Sequence, residues 1–207
     1  MAGSIGFDRA AEYYDRTRTM SPHARAATIR MLAAELRGRG AVLEVGVGTG
    51  QIALELHAEG LPMIGVDISA PMVAKLLEKT GGGAPFPLAL ADGAALPFRA
   101  ASFGAVVMRH VLHLVPSYAD VIDEVLRVLR PGGVALTSAG WHSAVGDELD
   151  AIERSLYSWT WRLSDDERAG IADEIRRWAA SRGVAPGDVL DPMVETRWRA
   201  YDAPRPA

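Results

Sequence analysis

The sequence contains no cysteine, which excludes disulfides, thiolate nucleophiles and cysteine-ligated metals. Lysine is almost missing too: Lys75 and Lys79 are the only two, and arginine carries the remaining positive side-chain charge, a scarcity that reads as coding bias rather than function. The formal net charge is −4, so nothing overall favours nucleic acid or an anionic membrane. No apolar run approaches the ~20 residues that cross a bilayer. The opening residues, Met1 to Ala10, turn polar and acidic too early for a signal peptide. The expectation is a cytoplasmic protein without a metal site. What is present is ordinary for a globular domain: 207 residues, 49% hydrophobic and 23% charged, enough for one domain with a sizeable core.

One stretch organises the rest. In Ala41-Val-Leu-Glu-Val-Gly-Val-Gly-Thr-Gly50 a short apolar run is interrupted by an acid and is followed by glycines at every second position. Residues 41–45 suit a buried strand, and residues 51–59 have helical spacing and good helix formers. The glycines therefore occupy a strand-to-helix turn. Lacking Cβ, they let backbone approach a ligand, and the N–H groups opening the helix would face it.

Around this turn the chain alternates. Residues 8–18 pattern as a short amphipathic helix, and Ser21-Pro22 opens a stronger one to Leu36. Further strands are expected at 63–67, 87–91, 105–108 and 134–137. A helix from Ser69 to Lys79 has Ser69 as N-cap and Gly81 to Gly83 as its stop. Another covers 117–129, with Val121, Ile122, Val125, Leu126 and Leu129 on one side, and Arg130-Pro-Gly-Gly133 breaks it. The last third differs, with helices at 146–157 and 164–182, the second capped by Ser164 or Asp165, and a final strand at 194–201 suited to an antiparallel edge. The tail from Asp202 is expected to fray. The fold class is α/β: a Rossmann-like, doubly wound, mostly parallel sheet with helices on both faces. The whole chain, 1–207, reads as one domain, with a ligand-binding core over 7–138 and a helical cover and final strand over 139–207. Right-handed crossovers gather the strand ends at one edge, where such sheets bind ligands. Glu44, Asp67, Asp92 and the segment Arg109 to His113 lie there.

The ligand can be narrowed from the spacing. A dinucleotide fingerprint needs G-x-G-x-x-G, but here Gln51 stands where its third glycine belongs. Glu44, two residues before Gly46, would repel a diphosphate and favour a ligand carrying positive charge. Asp67 ends the second strand 19 residues after Gly48, where an acid can accept both hydroxyls of a ribose. Asp92 could accept from the exocyclic amine of adenine, with Ile68 and Met72 offering apolar faces. Together they would hold an adenosine with a cationic group beyond its ribose.

Glu44-Val-Gly-Val-Gly-Thr-Gly50, Gly65-Val-Asp-Ile-Ser69, Ala91-Asp-Gly-Ala-Ala-Leu-Pro-Phe98 and Leu129-Arg-Pro-Gly-Gly133 resemble the successive motifs of class I S-adenosylmethionine-dependent methyltransferases. The set most resembles the branch related to ubiquinone/menaquinone biosynthesis and covers residues 7–138, roughly two-thirds of the chain. The resemblance implies S-adenosyl-L-methionine as cofactor. It implies that Glu44, Gly46, Gly48 and Gly50 border its methionine and ribose parts and that Asp67 binds the ribose hydroxyls. Ile68 and Met72 would flank the adenine, and Asp92, assisted by Gly93 and Ala94, would meet its amine. Arg109 would contact the methionine end, mostly through main chain. The pattern Phe7, Tyr14-Asp15, Arg18 matches a segment that closes over cofactor and substrate in the family, which makes Tyr14 and Arg18 candidates for the methionyl carboxylate or the acceptor.

The expected reaction is in-line methyl transfer to a small-molecule acceptor whose identity the residues do not spell out. Where a base is needed, His113 is the first candidate and His110 the second, since both follow the fourth strand. The bland reading of these histidines, as packing or lining residues, stays open. So does an anchoring role for Tyr13 and Tyr14, and a core or cover role for Trp159, Trp161, Trp178 and Trp198. About 15 residues separate Ala139 from Arg154, fewer than the branch usually carries, so the C-terminal region is shortened. That feature motivates a second reading, a cofactor-binding protein without catalysis. The βαβ–glycine–acid pattern alone motivates a third, a nicotinamide oxidoreductase, against which Gln51 and Glu44 argue. A monomer or homodimer is expected, with no nucleic-acid or membrane partner.

Overall fold

The computed structural model describes residues 7–17, 20–112, 115, 118–139, 149, 153–154, 164–181, 183–185 and 197–203. The expected helix at 146–157 therefore lies largely outside the described residues, as do Arg18, His113, Trp159 and Trp161.

Six strands form one sheet: β1 (Val42–Val45), β2 (Met63–Asp67), β3 (Leu88–Leu90), β4 (Phe103–Arg109), β5 (Leu129–Ala139) and β6 (Arg197–Asp202), in the order β3-β2-β1-β4-β5-β6. All neighbours from β3 to β5 pair in parallel, and β6 lies antiparallel to β5 at the edge. The order reverses between β1 and β4, the switch point at which an open α/β sheet forms its ligand crevice. The helices are α1 (Tyr14–Thr17), α2 (Pro22–Leu36), α3 (Ala53–Ala58), α4 (Ala70–Lys79), α5 (Tyr118–Val128) and α6 (Asp165–Ser181).

Strand side chains alternate between faces, and both faces are covered. Val42, Ala105, Val107, Val134 and Leu136 pack with Leu32 and Leu36 of α2, Leu56 of α3 and Leu76 of α4. Leu43, Val45, Val106, Met108 and Ala135 pack with Val121, Val125 and Val128 of α5 on the other side. A strand buried on both faces reads as a continuous apolar run, and each fully buried Leu or Val contributes roughly 1.5–3 kcal/mol. At the opposite end of the sheet from the glycine turn, a Cβ on Gly104 would fall 1.6 Å from the Arg39 carbonyl oxygen, so only glycine lets the chain entering β1 cross beside β4.

The helix starts follow their sequence signals. Ser21 Oγ accepts from the Ala24 N–H at 3.2 Å, and Ser69 Oγ from the Met72 N–H at 3.3 Å. Ser164 Oγ accepts from the Glu167 N–H at 3.3 Å while the Glu167 carboxylate accepts from the Ser164 N–H at 2.8 Å, a reciprocal capping box.

Four expectations need correction. Residues 8–18 do not form one helix; a 3-10 turn at Asp8–Ala10 precedes the single-turn α1, because the segment's acids bond to other parts of the chain. On α5, Ile122 and Leu126 are exposed: the sheet contacts a stripe at 121, 125 and 128, narrower than the apolar pattern. The segment Arg130 to Gly133 does end α5, yet it enters β5 instead of forming a loop. Finally, Asp202 ends β6 and Ala203 is buried and bonded to Gly133, so these two residues of the tail do not fray, while residues 204–207 lie outside the described residues.

Contacts divide the chain into two compact units, residues 1–138 with 198–207, and residues 139–197. In the second, Ala172 and Ala179 of α6 pack with Leu149, Ile175 and Val184. Among the described residues no helix is long and apolar enough to cross a membrane.

Candidate functional site

Residues of the first unit gather at the carboxyl ends of β1, β2 and β4. Gly46, Gly48 and Gly50 all hold positive φ, 74°, 53° and 79°. At Gly46 a Cβ would also lie 2.5 Å from Val111 Cγ2, so both backbone conformation and space demand glycine. Asp67 at the end of β2 fastens this loop: its Oδ2 accepts from the Gly48 N–H at 2.7 Å and its Oδ1 from the Ser69 N–H at 2.8 Å. Burial raises the Asp67 pKa, N–H donation from Ser69, Gly48 and Ile68 opposes the rise, and nearby Asp8 adds to it. Three donors leave the carboxylate room for a further outside donor.

Glu44, on β1, is 2% exposed. Burial pushes its pKa up to about 8, against the pull of Arg109 and a hydrogen bond from the Ala53 backbone at the start of α3. Its Oε2 is buried without a hydrogen-bond partner. Arg109 ends β4 on the same sheet face, and its Nη1 donates to Gln51 Oε1 at 2.8 Å. Burial lowers the guanidinium pKa, and Tyr14 and Glu44 counter it. A cavity of about 20 Å³ is lined by Tyr14, Glu44, Gly46, Gly48, Gln51 and Arg109, among others, room for little more than one water.

The N-terminal segment explains the tight cavity. Asp15 Oδ1 accepts from Thr49 Oγ1 at 2.6 Å and from Gln51 Nε2 at 2.9 Å, and its Oδ2 pairs with Lys79 Nζ at 2.6 Å. Lys79 Nζ also donates to the Thr49 carbonyl at 2.7 Å. Burial pushes the Asp15 carboxyl up, but these bonds outweigh it and hold it below its usual value. Glu12 pairs with Lys75 Nζ at 3.0 Å, and Ser69 Oγ donates to Asp8 Oδ1 at 2.5 Å. Phe7 and Tyr14 meet edge to face with centroids 5.8 Å apart. The segment is thus tied to the glycine loop and to α4.

The other sequence candidates fall as follows. Met72 is buried and Ile68 is 43% exposed, so one closes the loop from within and the other is open to a ligand. Asp92 lies two residues beyond β3, its Oδ1 accepting from the Ala94 N–H at 3.0 Å across Gly93. His110 is buried directly after Arg109 with φ +55°, an uncommon conformation for a residue with a side chain. His113 and Arg18 lie outside the described residues. Sequence reasoning missed Asp8, Thr49, Gln51 and Lys79 as parts of this arrangement. One signal was available: the chain's only two lysines stand four apart on one helix, and both pair with acids of the N-terminal segment. Their scarcity marks a structural use rather than coding bias alone.

Known proteins share this frame. A methyltransferase-domain family model matches residues 43–137. Demethylmenaquinone methyltransferase of Clavibacter sepedonicus is 33% identical over 135 residues, 63% of this chain and 54% of that protein. Phosphatidylethanolamine N-methyltransferase of Cereibacter sphaeroides is 37% identical over 131 residues, 61% of this chain and 64% of that protein. The solved PH0226 protein from Pyrococcus horikoshii has a TM-score of 0.56 at 25% identity, covering 72% of this chain and 67% of that one. The chain therefore spans between about half and two thirds of the length of these curated relatives.

Proposed function

We propose that the chain is a class I S-adenosylmethionine-dependent methyltransferase of the ubiquinone/menaquinone biosynthesis branch, transferring a methyl group to a small-molecule acceptor, a reading supported by the methyltransferase-domain match and by its relatives. S-adenosylmethionine is the cofactor that this reading implies. The observation that supports the reading most is Glu44: a buried carboxylate with one unpartnered oxygen, set beside a glycine loop that Asp67 fastens by two N–H bonds. A dinucleotide's diphosphate gains nothing there. A ligand with a ribose and a cationic group satisfies both acids.

When bound, the cofactor supplies a methyl group on an electron-poor sulfonium. The residues of this chain bind and orient. Asp67 offers its remaining acceptor capacity to the ribose hydroxyls, and Gly46, Gly48 and Gly50 let the backbone come close. Burial holds a proton on Glu44 in the free chain; a cationic end placed beside it favours the ionised form, with Arg109 and Gln51 nearby. Ile68, open to solvent, meets the adenine ring, buried Met72 backs the loop beside it, and Asp92, with Gly93 and Ala94, meets the amine. Tyr14 shields the cavity from water, and Arg18 is assigned to the same segment. Alignment and water exclusion supply much of the acceleration for a reaction of this kind. With the cofactor held in this way, its methyl group would pass to an acceptor lone pair, the carbon–sulfur electron pair staying with sulfur. An acceptor that must lose a proton gives it to an imidazole nitrogen of His113 or His110. Residues 7–138 would carry the cofactor and residues 139–207 the cover, within one methyltransferase domain.

Calorimetric titration with S-adenosylmethionine, followed by mass spectrometry of metabolite extracts incubated with methyl-labelled cofactor, tests this. Micromolar binding and one labelled product are expected. No binding at millimolar cofactor would sink the proposal, and binding without label transfer would leave a cofactor-binding protein.

A further inference from the structure

Beyond the cofactor seat, the same sheet face holds two polar atoms that nothing has used. Ser138 is 5% exposed, near the end of β5, and its Oγ has no hydrogen-bond partner. Trp198, on β6, packs against the core that includes Val134 and Leu136, and its Nε1 is buried and likewise without a partner. The register brings them together. The Ala203 N–H donates to the Gly133 carbonyl at 2.7 Å, and β6 runs antiparallel to β5. The Gly132 N–H also donates to the Ala203 carbonyl at 3.3 Å, so two residues oppose Ala203; counted from Gly133, Ser138 and Trp198 are each five steps along, and an unbroken ladder from there sets them opposite each other.

Their place relative to the cofactor seat follows from the same alternation. Ser138 is two residues beyond Leu136, Arg109 two beyond Val107, and Glu44 two beyond Val42, all on the face covered by α2 and α3. Arg109 and Ser138 are register partners on adjacent parallel strands. Glu44, Arg109 and Ser138 therefore occupy the ends of β1, β4 and β5 in sequence across one face, with Trp198 next. His110 follows Arg109 directly, and its N–H donates to the Ser138 carbonyl at 3.4 Å from a left-handed backbone.

A buried polar atom without a partner costs about 1–3 kcal/mol, and a native fold usually avoids it. Two of them side by side, next to a strained residue and beyond the cofactor seat, have the character of groups held ready for something else. An indole N–H can only donate, and a serine hydroxyl can donate as well. Their common partner is an oxygen with free lone pairs. An ammonium group offers none.

We propose that Ser138 Oγ and Trp198 Nε1 form a two-donor subsite for a carbonyl, hydroxyl or phenolate oxygen of the methyl acceptor. The inference rests on the methyl-transfer reading and narrows it. The relatives' names include a quinone-type acceptor and an amine; a pair of donors at this place favours an acceptor that presents an oxygen to the β5–β6 edge.

The test uses the full chain saturated with S-adenosylhomocysteine. Equilibrium dialysis measures binding of 1,4-naphthoquinone, which has acceptor oxygens only, and of naphthalene, which has the ring alone. The chain has no cysteine for the quinone to alkylate. Wild type is expected to prefer the quinone. Ser138→Ala and Trp198→Phe should each weaken quinone binding by roughly 5-fold, the size of one neutral hydrogen bond, and leave naphthalene and S-adenosylhomocysteine unchanged. Ser138→Ala should also melt at or above the wild-type temperature, because it removes a buried group that has no partner in the free protein. Equal losses for quinone and naphthalene would mean packing alone and would overturn the assignment. So would unchanged quinone binding in both variants, or a lowered melting temperature for Ser138→Ala, which marks a structural hydrogen bond. Failure of wild type to bind S-adenosylhomocysteine would instead refute the methyl-transfer reading, and this subsite with it.

Discussion

The two halves of the sheet's carboxyl edge treat their polar groups in opposite ways. On the β1–β2 side, both Asp67 oxygens already accept N–H bonds, and Asp15 collects bonds from Thr49, Gln51 and Lys79. On the β5–β6 side, Ser138 and Trp198 leave buried polar atoms without partners, and the adjoining His110 holds a left-handed backbone. The first half is a seat built before its ligand arrives, which lowers the entropy lost on binding. The second gives up stability for polarity that only a ligand can satisfy. Glu44 stands between them, with one oxygen in each condition. Family frames of this kind carry many acceptors because the seat and the acceptor wall answer to different residues.

Four experiments would break or sharpen this contrast, and the largest effect is expected first. Asp67→Ala removes the bonds that fasten Gly48 and Ser69. Because hydrogen bonds to a charged group are worth about 1.5–3 kcal/mol each, cofactor affinity should fall at least about 100-fold by calorimetry. A loss under 5-fold would show that the seat does not depend on Asp67.

Glu44→Gln probes the shared residue through pH. Burial raises its pKa from 4.5 to about 8, so the folded chain holds a proton that the unfolded chain releases above 4.5. Wild-type stability therefore falls as pH rises from about 4.5 to 8 and stops falling above that. The variant lacks this loss. In urea titrations of the ligand-free proteins, its advantage should grow between pH 5 and 8, reaching at most about 5 kcal/mol, and then level off. A constant difference across that range would mean that Glu44 does not titrate there.

Lys79→Met cuts the Asp15 ion pair that joins the N-terminal segment to α4. The pair is partly exposed, so the stability loss should be about 0.5–1 kcal/mol. Cleavage within residues 7–17 in limited proteolysis should speed up by several-fold, and cofactor association in stopped-flow should lose part of its salt dependence. Unchanged cleavage would show that the segment does not rely on this pair. Least of all, Ile122→Thr on the exposed side of α5 should shift stability by under about 0.5 kcal/mol, whereas Val125→Thr on its buried side should cost more than 1 kcal/mol. Similar unfolding midpoints for the two would contradict the buried stripe.

Much of this was legible from local chemistry. The strand–glycine–helix unit at 42–58, the caps Ser21, Ser69 and Ser164, and the acids at the ends of β1 and β2 each rest on a rule that acts within a few residues. The features that sequence reasoning missed depend on distant partners. Asp15 gains its importance from Thr49, Gln51 and Lys79, more than thirty residues away. The narrow stripe on α5 depends on how much of the helix the sheet covers.

By itself, the sequence determined the alternation of strands and helices, the glycines that a tight turn requires, and the acids that suit an adenosine with a cationic end. Periodicity, φ and charge are properties of residues and their near neighbours. Only the tertiary structure decided which acids close the N-terminal segment, that burial lifts Glu44 to about 8, and that Ser138 comes beside Trp198. Burial and pairing register arise when distant strands meet, and no spacing along the chain contains them.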